Sequence, residues 1–219
     1  MPRPKIPPVT EPFTLSSLPL FPLKAVLYPG GLLPLRIFEV RYLNMVNRCH
    51  QAGAPFGVVT LTEGAEIRLP GASAEVFAAI GTLATIESLT QTQAGLMSIR
   101  CAGQQRFRIA SSEQMRHGLW IAEVQRMADD LPVGVPPDLR YAADALDRLV
   151  TTLKAQQTDP QAFPMALPMR LDDAGWVANR WCELLPVPLE LKQRLMALDN
   201  PLVRLELVSD ILGRTGIVG

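Results

Sequence analysis

Cysteine is scarce: Cys49, Cys101 and Cys182 are the only three, with no C-x-x-C pair among them. A disulfide framework calls for an even, denser set, and a structural zinc site for closely paired ligands. Histidine is scarcer still, with His50 and His117 alone. Cys49 and His50 are neighbours, but adjacent residues on a helix point in different directions, and partner ligands are lacking. This set calls for no metal and no cofactor, and reduced thiols fit a cytoplasmic protein. Net charge is absent too. The 219 residues carry 21 basic and 21 acidic side chains, which argues against a protein built mainly to neutralise nucleic-acid phosphates. With 19% charged and 48% hydrophobic residues, the chain is no polar, disordered one.

Catalytic signatures are missing as well. There is no G-x-x-x-x-G-K-[ST] phosphate loop, no G-x-G-x-x-G, no G-x-S-x-G elbow and no H-E-x-x-H. Two histidines leave little material for a Ser-His-Asp triad, and the four lysines (Lys5, Lys24, Lys154, Lys192) lie in no context that would desolvate a base. Asp129-Asp130 and Asp172-Asp173 are paired carboxylates, but each pair falls at a predicted loop or helix start, where capping and the helix dipole account for it. No apolar run is long enough to span a bilayer; Leu18 to Leu35 comes nearest and is broken by Pro19, Pro22, Lys24, Pro29 and Pro34. The N-terminus has no apolar h-region, so a signal peptide is not expected, and residues 1–14 read as a flexible Pro-rich arm.

Proline is abundant, at 20 residues against 15 glycines, which sets many element boundaries. Up to about residue 128 the apolar runs are short and strand-like. Leu18 to Leu23 reads as an edge strand because of its prolines. Pro29-Gly30-Gly31 marks a turn before an extended run, Leu32 to Ile37. Phe56 to Leu61, Val76 to Leu89, Leu96 to Ala102, Arg106 to Ser111 and Leu119 to Met127 follow, several with a period of two. One helix interrupts them, from Glu39 to about Ala52, with Val40, Leu43 and Val46 or Asn47 on one face and Gly53 as its stop. Beyond residue 128 the period turns helical. Leu139, Ala142, Ala143, Leu146, Leu149, Val150 and Leu153 form one stripe. Asp172 is the expected cap of a second helix bearing Val177, Trp181 and Leu184, and Pro188 opens a third. Asn200-Pro201 and Gly213 frame a fourth. The expected fold class is α+β, with a β subdomain over 15–130 and a helical one over 131–219.

Leu20-Phe21-Pro22-Leu23 followed by the run Leu27 to Tyr42 (LYPGGLLPLRIFEVRY) closely resembles the opening of the Lon substrate-binding domain, the N-terminal domain of ATP-dependent Lon proteases. Phe56-Gly57-Val58-Val59, Ile80 to Ile86, Gly103 with Arg106 to Ile109, Leu184-Leu185-Pro186 and Lys192 to Leu195 resemble later family segments in the same order. The resemblance covers about residues 18–213. It implies a PUA-like β pseudo-barrel followed by a helical bundle, and a role in selecting unfolded polypeptides for ATP-dependent proteolysis. Neither the ATPase nor the peptidase module of a complete Lon has a counterpart in these residues, so the chain resembles a free-standing, non-catalytic N-domain.

Its expected partners are unfolded polypeptides or a protease, with no membrane, nucleic acid disfavoured and a homodimer left open. For a polypeptide-binding module the candidates are Leu32, Leu33 and Phe38, with Met165 and Met169 of the Phe163–Met169 connector, since flexible Met side chains suit promiscuous surfaces. The rival reading is RNA binding through Arg100, Arg106 and Arg108, expected on outward strand faces. Residues 1–126 hold 12 basic and 8 acidic side chains, against 9 and 13 in 127–219. A small-molecule sensor with a pocket between barrel and bundle is the third.

Overall fold

A computed structural model describes residues 14–67, 74–156 and 165–216. The Pro-rich segment before Thr14, and Phe163 and Pro164 of the connector, lie outside the described residues. The first half forms strands β1 (Thr14–Leu23), β2 (Leu32–Ile37), β3 (Phe56–Glu63), β4 (Val76–Gln93), β5 (Leu96–Gln114) and β6 (Trp120–Arg126), with helix α1 (Val40–Ala52) after β2. The second half holds a 3-10 turn (Pro137–Leu139) and helices α2 (Arg140–Gln156), α3 (Ala174–Leu184), α4 (Leu189–Met196) and α5 (Pro201–Thr215). Among the described residues, no helix is long and apolar enough to cross a membrane.

The strands form one six-stranded sheet in the order β2-β5-β4-β3-β1-β6, closed by a further β5–β6 pairing into a pseudo-barrel. Closure depends on β5. Its first part pairs with β2 and its last with β6, so two strands expected from the pattern, 96–102 and 106–111, are one element. Gly103 lies within that strand because a Cβ there would stand 2.2 Å from the Tyr28 carbonyl oxygen. The edge assignment also changes. β1 is interior, parallel to β3 and antiparallel to β6 despite Pro19 and Pro22. The terminal strand in the order is β2, which carries Pro34. The Gly103 N–H donates to Gly31 O, and alternation along an antiparallel pair then turns residue 34 away from β5. Its missing N–H therefore costs no ladder bond and blunts the open edge.

Helix α1 closes one side of the barrel. Tyr42, Met45, Val46 and Cys49 face the core, and the Tyr42 ring stacks on Phe21 at 4.1 Å. The expected face containing Val40 is displaced by half a turn, and Val40 is 71% exposed. Gly53 ends the helix in the left-handed conformation, as expected (φ 59°). Asp173, rather than Asp172, caps α3 by accepting from Trp176 N at 3.1 Å. Asn200 caps α5 as expected, but that helix runs through Gly213 to Thr215 and ends at Gly216. The stripes of α2, α3 and α5 meet in a core of Leu146, Val150, Val177, Trp181, Leu205 and Val208, joined by Tyr28 from the barrel side.

The seam between the halves is polar. Arg106 of β5 and Arg204 of α5, 3% and 1% exposed, converge on Asp130, with Arg106 Nη2–Asp130 Oδ1 at 3.0 Å and Arg204 Nη1–Asp130 Oδ2 at 2.5 Å. Their remaining N–H groups donate to Met196 O and Leu198 O, to Leu195 O and to Asn179 Oδ1. Tyr28 Oη donates to Lys192 O at 2.6 Å, and Gln193 Nε2 to Ile80 O at 2.9 Å. Arg180 of α3 donates to Pro29 O and Gly30 O, clamping the turn that leads into β2, and pairs with Glu183 at 2.8 Å.

Removing Asp130 strands two buried cations. Asp130→Ala is expected to lower the unfolding free energy by about 3–5 kcal/mol in urea titrations. By contrast, Asp172→Ala, which breaks an exposed, solvent-screened pair with Arg140, is expected to leave the urea midpoint nearly unchanged. A pH dependence follows from Glu183, whose carboxyl burial pushes up from 4.5 to about 7 against the pull of Arg180 and Lys192. With the folded value above the unfolded one, its contribution to stability is full below pH 4.5 and lost as pH rises through about 7. The stability difference between wild type and Glu183→Gln is expected to shift against wild type across that window.

Candidate functional site

Reactive chemistry is not assembled among the described residues. No group of three or more His, Cys, Asp or Glu side chains is placed to hold a metal. All three cysteines are buried and unbridged, and burial pushes the Cys101 thiol up to about 12 and Cys182 to about 11. Such thiols stay protonated and make poor nucleophiles. His50 and His117 stand exposed. Three of the four carboxylates in the Asp pairs are occupied structurally: Asp130 pairs with two arginines, Asp173 caps α3, and Asp172 pairs with Arg140 at 2.6 Å, while Asp129 stands exposed. What the structure offers is surface.

The residues considered for polypeptide binding do not form one patch. Leu32 and Leu33 are half-buried on β2, with Leu33 packed against the α1-side core. Met165 is 3% exposed and belongs to the helical core, where it bridges Gly31 in antiparallel fashion beside the start of β2. Met169 is half-buried against the same core. Phe38 stands apart, past the far end of β2, and is 51% exposed. The expected basic strip does not form. Arg108 is exposed and Arg100 lies half-buried 3.7 Å from Glu87, but Arg106 is drawn into the seam by Asp130. The period of two does hold at Arg106 and Phe107; the face away from Phe107 is simply covered there by α4 and α5.

Phe38 instead belongs to a surface that periodicity did not mark. Arg41 is the fastener. Its guanidinium pairs with Glu39 at 3.1 Å and Glu75 at 3.0 Å, and donates to Gly118 O at 2.7 Å. Glu75 also accepts from Trp120 Nε1 at 2.6 Å, and Phe77 meets the Trp120 ring edge-on at 5.2 Å. Three chain segments are thereby joined: the β2–α1 corner, the start of β4 and the β5–β6 turn. Each carries exposed apolar side chains, Phe38 and Val40 on the first, Val76 on the second and Met115 on the third. These lie at element ends, where a stripe has no period to display. The only available signal is a run of apolar residues interrupted by Glu39 and Arg41.

The matches to known proteins agree with this architecture. The family model described as the ATP-dependent protease La (LON) substrate-binding domain matches residues 17–214. Among curated proteins, the chain is similar to a Lon protease of Anaeromyxobacter dehalogenans (strain 2CP-C), 26% identical over 203 residues. That alignment takes in 90% of this chain and 23% of the relative, so the chain spans about a quarter of the protease's length. Among solved structures it resembles the Lon N-terminal domain protein from Xanthomonas campestris, with 34% identity and a TM-score of 0.68 over 89% of this chain and 97% of the other. The N-terminal domain of the Mycobacterium avium complex Lon protease shares the fold at 16% identity and a TM-score of 0.53, covering 89% and 96% of the two chains. A family match across nearly all of the described fold places this chain in the Lon substrate-binding domain family.

Proposed function

We propose that this chain recognises apolar segments of unfolded polypeptides, or presents them as an adaptor to a protease partner, without hydrolysing ATP or peptide bonds itself. The observation that carries the reading is that Phe38, Val40, Val76 and Met115 are each exposed on three chain segments that the Arg41–Glu75–Trp120 cluster ties together. Exposed apolar side chains on a rigid, hydrogen-bonded base lose little entropy on binding, which favours weak but general capture of extended apolar chain. Leu32 and Leu33, half-buried at the opposite end of β2, lie apart from this corner, and Leu33 is packed against the core. Met165 is too deeply packed to serve, and Met169 is partly packed. Three unbridged thiols are compatible with a reducing compartment, and we take the cytoplasm as its site of action. The RNA reading is left with Arg108 as its freely exposed guanidinium and Arg100 beside Glu87.

Titration of a labelled, permanently unfolded polypeptide is expected to show binding that persists or strengthens with salt, because apolar contacts are not screened. Replacing exposed Phe38 and Val40 together by glutamate is expected to weaken binding at least about tenfold, as two apolar anchors leave the contact, with an unchanged circular-dichroism melt. Binding of structured RNA that falls steeply with salt, without polypeptide binding, would overturn the reading. The purified chain is expected to turn over neither ATP nor casein.

A further inference from the structure

A second surface lies at the seam, where a cleft of about 640 Å³ opens between the end of β6 and the start of α5. Its floor and wall are apolar, from Met127, Val133, Pro201 and Leu131, and Leu131 is 76% exposed, the largest exposure among the large apolar side chains described. Its rim is acidic. Asp129 is exposed, and the Asp199 side chain is 78% exposed, touching Arg106 only at 3.5 Å. Arg106 offsets them only in part. Its guanidinium is 3% exposed and committed first to Asp130 at 3.0 Å and to the carbonyls of Met196 and Leu198, with Asp199 further off at 3.5 Å. Counting Arg204, two guanidiniums face three carboxylates at this seam, which leaves a net negative charge, and Asp129 and Asp199 are the carboxylates that stand out in solvent.

We infer that this cleft takes a polypeptide segment in which apolar side chains are flanked by lysine or arginine. The apolar residues would lie on Leu131, Val133 and Met127, and the cationic end groups would meet Asp129 and Asp199. The inference deepens the polypeptide-recognition reading and rests on it: it adds a charge preference and a place where that preference is set. A second copy of this chain fits poorly, because a two-fold contact through this face would bring its acidic rim against itself. At the seam a ligand would touch both the barrel and the start of α5, and Asp130 ties β5 to α5 beside the cleft.

The test compares one labelled apolar peptide flanked by lysines with the same peptide flanked by glutamates, by fluorescence anisotropy at low salt. Wild type is expected to bind the lysine-flanked peptide about tenfold more tightly, the scale of two partly exposed charge pairs. Asp129→Asn with Asp199→Asn is expected to reduce that ratio to about twofold or less, and Leu131→Glu to weaken the lysine-flanked peptide's apolar contact. All three side chains are exposed, and the variants' melting curves report whether the fold persists. Equal binding of the two peptides to wild type, or a preference unchanged in the double Asn variant, overturns this inference while leaving polypeptide recognition intact. Binding of neither peptide overturns both. A dimer in sedimentation that Leu131→Glu dissociates, with no peptide preference, would assign the face to a second copy and overturn it as well.

Discussion

Two cations buried at one seam are the constraint on which the molecule depends. Arg106 comes from the barrel and Arg204 from the last helix; both pair with one carboxylate, Asp130, and Asp199 reaches Arg106 at 3.5 Å. Burial of two guanidiniums is tolerable only where a counter-charge and acceptors for the other N–H groups are supplied together. Here the acceptors are carbonyls at the C-terminal end of α4 and in the turn beyond it, where helix geometry leaves oxygens unpaired. The same contacts satisfy the helix end and hold the helices against β5. Breaking the seam would expose apolar surface around Tyr28 and Ile80 and leave charge in the interior, so the barrel and the helices act as one body.

Given that frame, function is delegated to what remains outside it. Buried thiols are held protonated, Asp130, Asp172 and Asp173 are used for pairing and capping, and Arg180 serves a turn. Apolar side chains such as Phe38, Val40 and Leu131 are left in solvent in a fold that buries most of its large aliphatics, and such exposed apolar positions are candidates for contact. Rigidity matters to such a surface. Arg41 and Glu75 tie three segments together, so binding there need not order the backbone that carries the apolar side chains.

Much of the fold was legible because local chemistry decides it. Leu32–Ile37 after Pro29-Gly30-Gly31, Gly53 as a left-handed stop and Asn200-Pro201 as a helix start stand where turn and cap rules place them. The failures have a common cause in tertiary context. Pro19 and Pro22 point to an edge, but closure through β5 and β6 makes β1 interior. Val40 continues an apolar pattern, yet Tyr42 wins the inward direction by stacking on Phe21. Arg106 reads as a solvated strand residue, and nothing local reports that Asp130 and Arg204, far along the chain, will cover it. Gly213 shows the reverse: a glycine able to end a helix lies inside one. The candidate surface was the least legible part. Its residues come from element ends in three separate segments, and only pairing by Arg41 and Glu75 assembles them.

The central claim is that an unfolded chain is gripped at the barrel end built around Arg41. Hydrogen–deuterium exchange with and without a permanently unfolded polypeptide tests it most directly, because it maps contact without presupposing which side chain matters. Added protection is expected in the β2–α1 corner around Phe38, at the start of β4 around Val76 and in the β5–β6 turn around Met115, together and with the same dependence on polypeptide concentration. Protection confined to the outward face near Arg100 and Arg108, or no change at any of the three segments under saturating polypeptide, would contradict it.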